Sequence, residues 1–116
     1  MSKIAVCSSG DSLNGQIDGR FGRCAYFIIG DLESNNFESI PNNAGNSKQG
    51  AGIQAAQIVV DKGVKAVISN RVGAKAFAAL QKAGIKVYIP KAEESIKANV
   101  EKYKTNELEE MLQANN

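Results

Sequence analysis

Between Gly63 and Pro90 the chain writes strand, helix and strand in succession, and this alternation limits the folds open to it more than any other feature. Val64-Lys65-Ala66-Val67-Ile68-Ser69 is a short β-branched run, bounded by Gly63 before it and Asn70-Arg71-Val72-Gly73 after it. Gly73, Ala76, Phe77, Leu80 and Ala83 then recur at i, i+3, i+4, i+7 and i+10, the stripe by which a helix packs on a sheet. Gly84 closes that helix, and Ile85-Lys86-Val87-Tyr88-Ile89-Pro90 reads as the next strand. A strand, a crossover helix and a second strand lie parallel in one sheet, joined right-handedly.

The preceding residues extend this unit. A helix is expected from about Lys48 to Lys62, capped by Asn46 or Ser47, facing the sheet through Gly52, Ala55, Ala56, Val59 and Val60 and ended by Gly63. Lys3-Ile4-Ala5-Val6-Cys7-Ser8 and Tyr26-Phe27-Ile28-Ile29-Gly30-Asp31 are the first two strands. Turn chemistry from Asp31 to Asn36 joins the second to Phe37-Glu38-Ser39-Ile40-Pro41 as an antiparallel hairpin, with Pro41 suited to an edge. After the fifth strand, Ile96, Val100 and Tyr103 give a thin helical stripe. Asn106 with Glu109 resembles a capping box, opening a terminal helix through Leu108, Met111 and Leu112. The expectation is an α/β fold with a five-stranded mixed sheet, order 3-2-1-4-5, strand two antiparallel and helices on its faces.

Reversal of strand two has a consequence for chemistry. Its start lies at the edge where the other strands end, so Ser8-Ser9-Gly10, Gly19 to Cys24, Asn46 to Gly52 and Asn70 to Gly73 should meet there. Open α/β sheets bind ligands at that edge. Two expected helices begin at it, near Ser47 and near Gly73, and aim N–H groups and positive dipole ends at it. Arg20, Arg23 and Arg71 add three positive charges, which favours phosphate, an oxoanion or an anionic metal-sulfur cluster. The plainer reading leaves these arginines solvated or paired with Asp11, Asp18 or Glu33.

Composition narrows the classes. At 116 residues the chain fits one domain, 1–116, and it holds no apolar run long enough to span a membrane. The run Ile4-Ala5-Val6 is too short for a secretory leader, so a cytoplasmic protein is expected. A net charge of +2 from 14 basic and 12 acidic residues, with no dense basic block, argues against nucleic acid as a partner. Histidine is absent, which removes the commonest general base and metal ligand. Cys7 and Cys24 are too few for a disulfide scaffold, but antiparallel strands would bring them near each other. They are either metal-binding thiolates or small buried hydrophobes, and Cys24, among arginines whose charge favours a thiolate, is the better candidate ligand. Gly50-Ala51-Gly52 lacks the spacing of a nucleotide fingerprint. Asn70 and Gly73 serve as cap and packing position or as ligand contacts, and Tyr26 and Phe27 as core residues rather than a stacking platform.

Several segments together resemble the dinitrogenase iron-molybdenum cofactor biosynthesis family. They are Asp18-Gly19-Arg20-Phe21-Gly22-Arg23-Cys24-Ala25-Tyr26-Phe27, the Gly50-Ala51-Gly52 helix start, Gly63 to Ile68, Gly73-Ala74-Lys75-Ala76-Phe77, Ala83 to Tyr88 and Tyr103 to Leu108. The resemblance implies a three-layer ribonuclease H-like fold and a non-catalytic accessory role, carrying an iron-sulfur or iron-molybdenum cluster or its precursor between donor and acceptor proteins. Nitrogenase-associated members often place a histidine before the Phe-Gly pair, whereas this chain has Arg20, as the stand-alone branch does. That leaves Cys24, with Cys7 beside it, as the candidate metal anchor. The candidate cofactor-binding residues are Arg20, Phe21, Gly22, Arg23, Cys24, Gly50, Gly52, Asn70, Arg71 and Gly73. A monomer or weak homo-oligomer is expected. Two other classes stand beside the carrier: a metal-free anion- or phosphate-binding regulatory module, and a ribonuclease H-like nuclease, which strand one does not favour because it offers no central carboxylate.

Overall fold

The computed structural model describes residues 3–13, 15–18, 20–43, 50–91 and 93–114. Its elements in chain order are β1 (Lys3–Ser8), β2 (Tyr26–Asp31), β3 (Asn36–Pro41), α1 (Ala51–Asp61), β4 (Ala66–Ile68), α2 (Ala74–Lys82), β5 (Lys86–Ile89), α3 (Ile96–Lys104) and β6 (Glu109–Met111). They build one mixed sheet in the order β3-β2-β1-β4-β5-β6. β1 pairs parallel with β4 and β4 with β5, while β2 runs antiparallel to both β1 and β3.

The period-two pattern divides the core. Along β1, Ala5 and Cys7 face one side while Ile4 and Val6 face the other, and β4 sorts Val67 from Ala66 and Ile68 in the same way. The first side is covered by α1 and α2 through Ala55, Ala56, Val59, Ala76, Phe77 and Leu80. The second is covered by α3 through Ile96 and Val100. No helix among the described residues is long and apolar enough to cross a membrane.

The sheet has six strands rather than the expected five, because the segment read as a terminal helix is β6, antiparallel to β5. Two observations explain the difference. Asn106 takes a left-handed backbone at φ 60°, with its N–H donating to the Tyr103 carbonyl at 3.2 Å and the Glu107 N–H to the Lys102 carbonyl at 2.8 Å. That is a Schellman closure of α3, so Asn106 ends a helix instead of opening one. Leu108 and Met111 are then buried in the two opposite cores, which a strand allows at i and i+3 and a helix does not. The expected caps Asn46 and Ser47, and the expected start of α1 at Lys48, lie outside the described residues; the described helix begins at Ala51 behind Gly50.

Candidate anion-binding cleft

The turn between Arg20 and Cys24 is held from three directions. Beneath it Phe21 is buried, its ring 5.5 Å from that of Phe27, so the apolar core anchors a turn whose neighbours are cationic. Beside it the Phe21 N–H donates to the Arg71 carbonyl at 3.0 Å, forming an isolated parallel bridge between Arg20 and Arg71. This bridge carries two arginines from distant parts of the sequence to one edge. On the far side Asn42 Nδ2 donates to the carbonyls of Gly22 at 3.2 Å and Cys24 at 2.9 Å. Asn42 is itself buried, and its N–H donates to the Ala25 carbonyl at 2.9 Å.

Glycine sets how closely the helices approach. A Cβ on Gly22 would stand 2.9 Å from the Gly52 nitrogen, and one on Gly52 would stand 3.1 Å from the Ala76 Cβ. The turn therefore rests on the first turn of α1, and α1 in turn rests on α2. Both helices open here without a side-chain cap and without an acidic residue in the first turn. α3 differs: Ser95 Oγ accepts from the Ala98 N–H at 3.1 Å, and the carbonyls of Gly15 and Leu13 accept from the N–H groups of Ile96 and Lys97. The N-terminal donors of α3 are spent within the protein, whereas those of α1 and α2 face a cleft.

That cleft has a volume of about 430 Å³. One wall is Arg20, Phe21, Gly22 and Arg23, the floor is Gly50, Ala51, Gly52 and Ile53, and the other wall is Arg71, Gly73, Ala74, Lys75 and Ala76. Among the described residues its lining carries four cationic side chains and no carboxylate. Asp18 lies 3.9 Å from Arg20 Nε, and its carboxylate accepts the Arg20 N–H at 3.1 Å. The Arg20 side chain is 65% exposed, so this pair is weak and leaves the guanidinium available to a ligand. Two helix N-termini and several guanidinium forks aimed into one concave space bind multi-oxygen or multi-sulfur anions.

Eight of the ten residues expected to bind a cofactor line this cleft: Arg20, Phe21, Gly22, Arg23, Gly50, Gly52, Arg71 and Gly73. Asn70 lies next to the wall, half-buried, and is not part of the lining. Cys24 is not in the lining either. Its side chain is 1% exposed, its Sγ donates to the Phe21 carbonyl at 3.4 Å, and Asn42 Nδ2 approaches the same sulfur at 3.8 Å. Cys7 is wholly buried on β1, in the same core cluster as Cys24. Burial, reinforced by the neighbouring Cys24 thiol, pushes the Cys7 thiol up. The two expected metal ligands thus sit behind the cleft wall rather than in it. Among the described residues no group of three or more histidine, cysteine, aspartate or glutamate side chains is placed to hold a metal ion. Asn42 was legible in the sequence only as loop, since nothing local marks a contact reaching back to Gly22.

The family model described as "Dinitrogenase iron-molybdenum cofactor" matches residues 1–106. An uncharacterized protein of Methanocaldococcus jannaschii is 36% identical over 78 residues, a match covering 65% of this chain and 66% of that relative, just under two thirds of its length. Among solved structures, the apo form of the orange protein from Desulfovibrio gigas superposes with a TM-score of 0.95 at 34% identity, covering 100% of this chain and 98% of that one. A Thermotoga protein of the DUF35 family, provisionally described as a NifB protein, superposes with a TM-score of 0.87 at 34% identity, covering 100% and 98%.

Proposed function

The chain belongs to the dinitrogenase iron-molybdenum cofactor family, and from that premise we propose that it is a non-catalytic carrier holding an anionic metal-sulfur cluster, or its precursor, in the arginine cleft. One observation carries the reading: two helix N-termini without side-chain caps meet Arg20, Arg23 and Arg71 in a cleft whose lining, among the described residues, includes no carboxylate. The donors suit cargo bound by charge and hydrogen bonds to its outer sulfur or oxygen atoms. Among the described residues none in the lining supplies a soft ligand, so in this reading cargo leaves without breaking a covalent metal bond. Description of the orange protein structure as an apo form agrees with a family fold that is stable without cargo.

In this reading the protein acts in the cytoplasm as one domain, exchanging cargo with donor and acceptor proteins. Its strand order with β2 reversed supports kinship with ribonuclease H-like folds, though β1 offers Ile4, Ala5, Val6 and Cys7 where a nuclease needs carboxylates. A metal-free phosphate-binding role is the second reading, favoured by the same backbone donors.

The test begins with iron, molybdenum and sulfide content of protein purified without oxygen. Titration with tetrathiomolybdate, an anionic metal-sulfur probe, follows on the wild type and on the Arg20→Ala/Arg71→Ala double variant. Saturable binding abolished in the variant supports the carrier. Binding of inorganic phosphate with indifference to tetrathiomolybdate selects the second reading.

A further inference from the structure

The side chains lining the cleft are of two kinds. Among the described residues Arg20, Arg23, Arg71 and Lys75 supply charge and the rest are hydrocarbon, with no hydroxyl, amide or carboxylate side chain between them. Most of that hydrocarbon is short or buried, as in Ala51, Ala74 and Phe21, but Ile53 is 47% exposed. Leu112 is the other large hydrophobic side chain that the described residues leave exposed, and it does not line the cleft. Ile53 sits in the first turn of α1 and stands outside both core clusters, whereas Ile58 of the same helix packs against one of them. Core packing therefore does not account for an isoleucine here, at an open helix start where a polar or acidic side chain is the stable choice.

We propose that Ile53 makes the cleft selective for sulfur-faced anions over oxoanions of the same charge and shape. The inference rests on the carrier reading above and narrows its cargo. Charge does not separate the two classes, because tetrathiomolybdate and molybdate are both tetrahedral dianions and the arginines attract both. The N–H groups at the starts of α1 and α2 likewise serve either anion. Hydration separates them. Oxygen concentrates the negative charge, holds water tightly and gives it up only to hydrogen-bond donors in number.

The described lining has no hydroxyl or amide side chain to replace that water, and the Ile53 methyl groups on the floor offer no donor. An oxoanion thus stays partly unsatisfied. Sulfur is larger and more polarizable, its charge is spread, and its water leaves at lower cost, so contact with a methyl surface favours binding. Guanidinium is itself more weakly hydrated than ammonium, which suits such a partner, and three of the four lining cations are arginines. Covering the exposed part of the Ile53 side chain is worth about three- to tenfold in affinity.

The experiment titrates the full chain, copper-free and without oxygen, with tetrathiomolybdate and separately with molybdate, on the wild type, Ile53→Ser and Ile53→Val. Serine and isoleucine have similar helix propensities and Ile53 is exposed, so Ile53→Ser should keep the wild-type urea midpoint. The wild type is expected to prefer tetrathiomolybdate by about tenfold or more. Ile53→Ser should reduce that preference about three- to tenfold without weakening molybdate, and Ile53→Val should retain most of it. The Arg20→Ala/Arg71→Ala double variant should instead weaken both anions together and keep their ratio. Equal affinity for the two anions in the wild type, or a preference that survives Ile53→Ser intact, overturns the inference and leaves an anion-binding cleft standing. A wild type that binds neither anion overturns the carrier reading and this inference with it.

Discussion

Gly22 and Gly52 meet backbone to backbone: a Cβ added to Gly22 would stand 2.9 Å from the Gly52 nitrogen and 3.0 Å from its Cα. No flexible side chain is available to yield, so the contact sets the distance between the arginine turn and the first turn of α1. A methyl group there forces the two walls apart. Gly22→Ala is expected to cost about 1–3 kcal/mol, the usual range for overpacking, read as a lower urea midpoint at unchanged slope. An unaltered midpoint would show that the turn floats on α1 instead of resting on it.

Asn42 supports the same turn from its other side. Its Nδ2 reaches the carbonyls of Gly22 and Cys24 from a buried position. Asn42→Ala leaves both carbonyls short of a donor, a loss of about 2 kcal/mol. Asn42→Asp should be worse than alanine, because a carboxylate would confront the same carbonyls. Chemical denaturation of the two variants ranks them, and the reverse order would discount the hydrogen bonds.

Much of the architecture was written in local patterns. The β-branched runs, the stripe from Gly73 to Ala83 and the closing glycines gave β1 to β5 their order because each signal lies within one element and depends on periodicity. Convergence of Arg20 with Arg71 followed from the reversal of β2. What escaped depended on direction rather than pattern. Cys24 stands among arginines in the sequence, yet it turns inward with Phe21 three residues earlier, and neighbouring polarity does not report which way a side chain points. Asn106 and Glu109 satisfy a helix-start pattern, but the left-handed Asn106 serves the preceding helix. Asn42 acts across about twenty residues, beyond any local signal.

The arginines should govern affinity and not folding. Arg20 and Arg71 are exposed, so Arg20→Ala and Arg71→Ala should change stability by no more than about 0.5 kcal/mol. Each is expected to weaken tetrathiomolybdate binding about tenfold, equivalent to about 1.4 kcal/mol. Arg71→Lys should recover only part of the loss, since an ammonium lacks the planar fork. Added salt should weaken the wild type more than the alanine variants. Calorimetric titration at two ionic strengths checks the three statements on affinity, and urea denaturation checks the one on stability.

Alkaline pH should expose the burial of Cys7. Burial and the Cys24 thiol raise its folded value. Below about pH 8.5 both folded and unfolded chains hold the proton and the contribution to stability is complete. Above that pH the unfolded chain releases the proton while the folded chain keeps it, so stability falls by about 1.4 kcal/mol per pH unit until the folded value is reached. Cys7→Ala should show a shallower decline over the same window in parallel urea titrations; identical slopes would refute the assignment.

Asn99 tests the opposite face of the sheet. It is fully buried, accepts the Lys91 N–H at 2.7 Å and donates to the carbonyls of Lys91 at 3.0 Å and Ser95 at 2.9 Å, tying the β5–α3 connection to its helix. Asn99→Ala should cost about 3 kcal/mol and leave the affinity for tetrathiomolybdate unchanged. Parallel loss of affinity would mean that the two faces are coupled.

The two ends of the sheet are built unlike each other. Asn35, Gly63 and Gly84, each with a left-handed backbone, turn the chain at the end away from the cleft, where connections are short. At the cleft end the connections are long, as between β1 and β2 and between β3 and α1. Tight turns fix the order and register of the strands, while the long connections bear little of that duty. A lineage can therefore retool the long connections for different cargo while inheriting its wiring intact, and specificity can drift without the scaffold having to be reinvented.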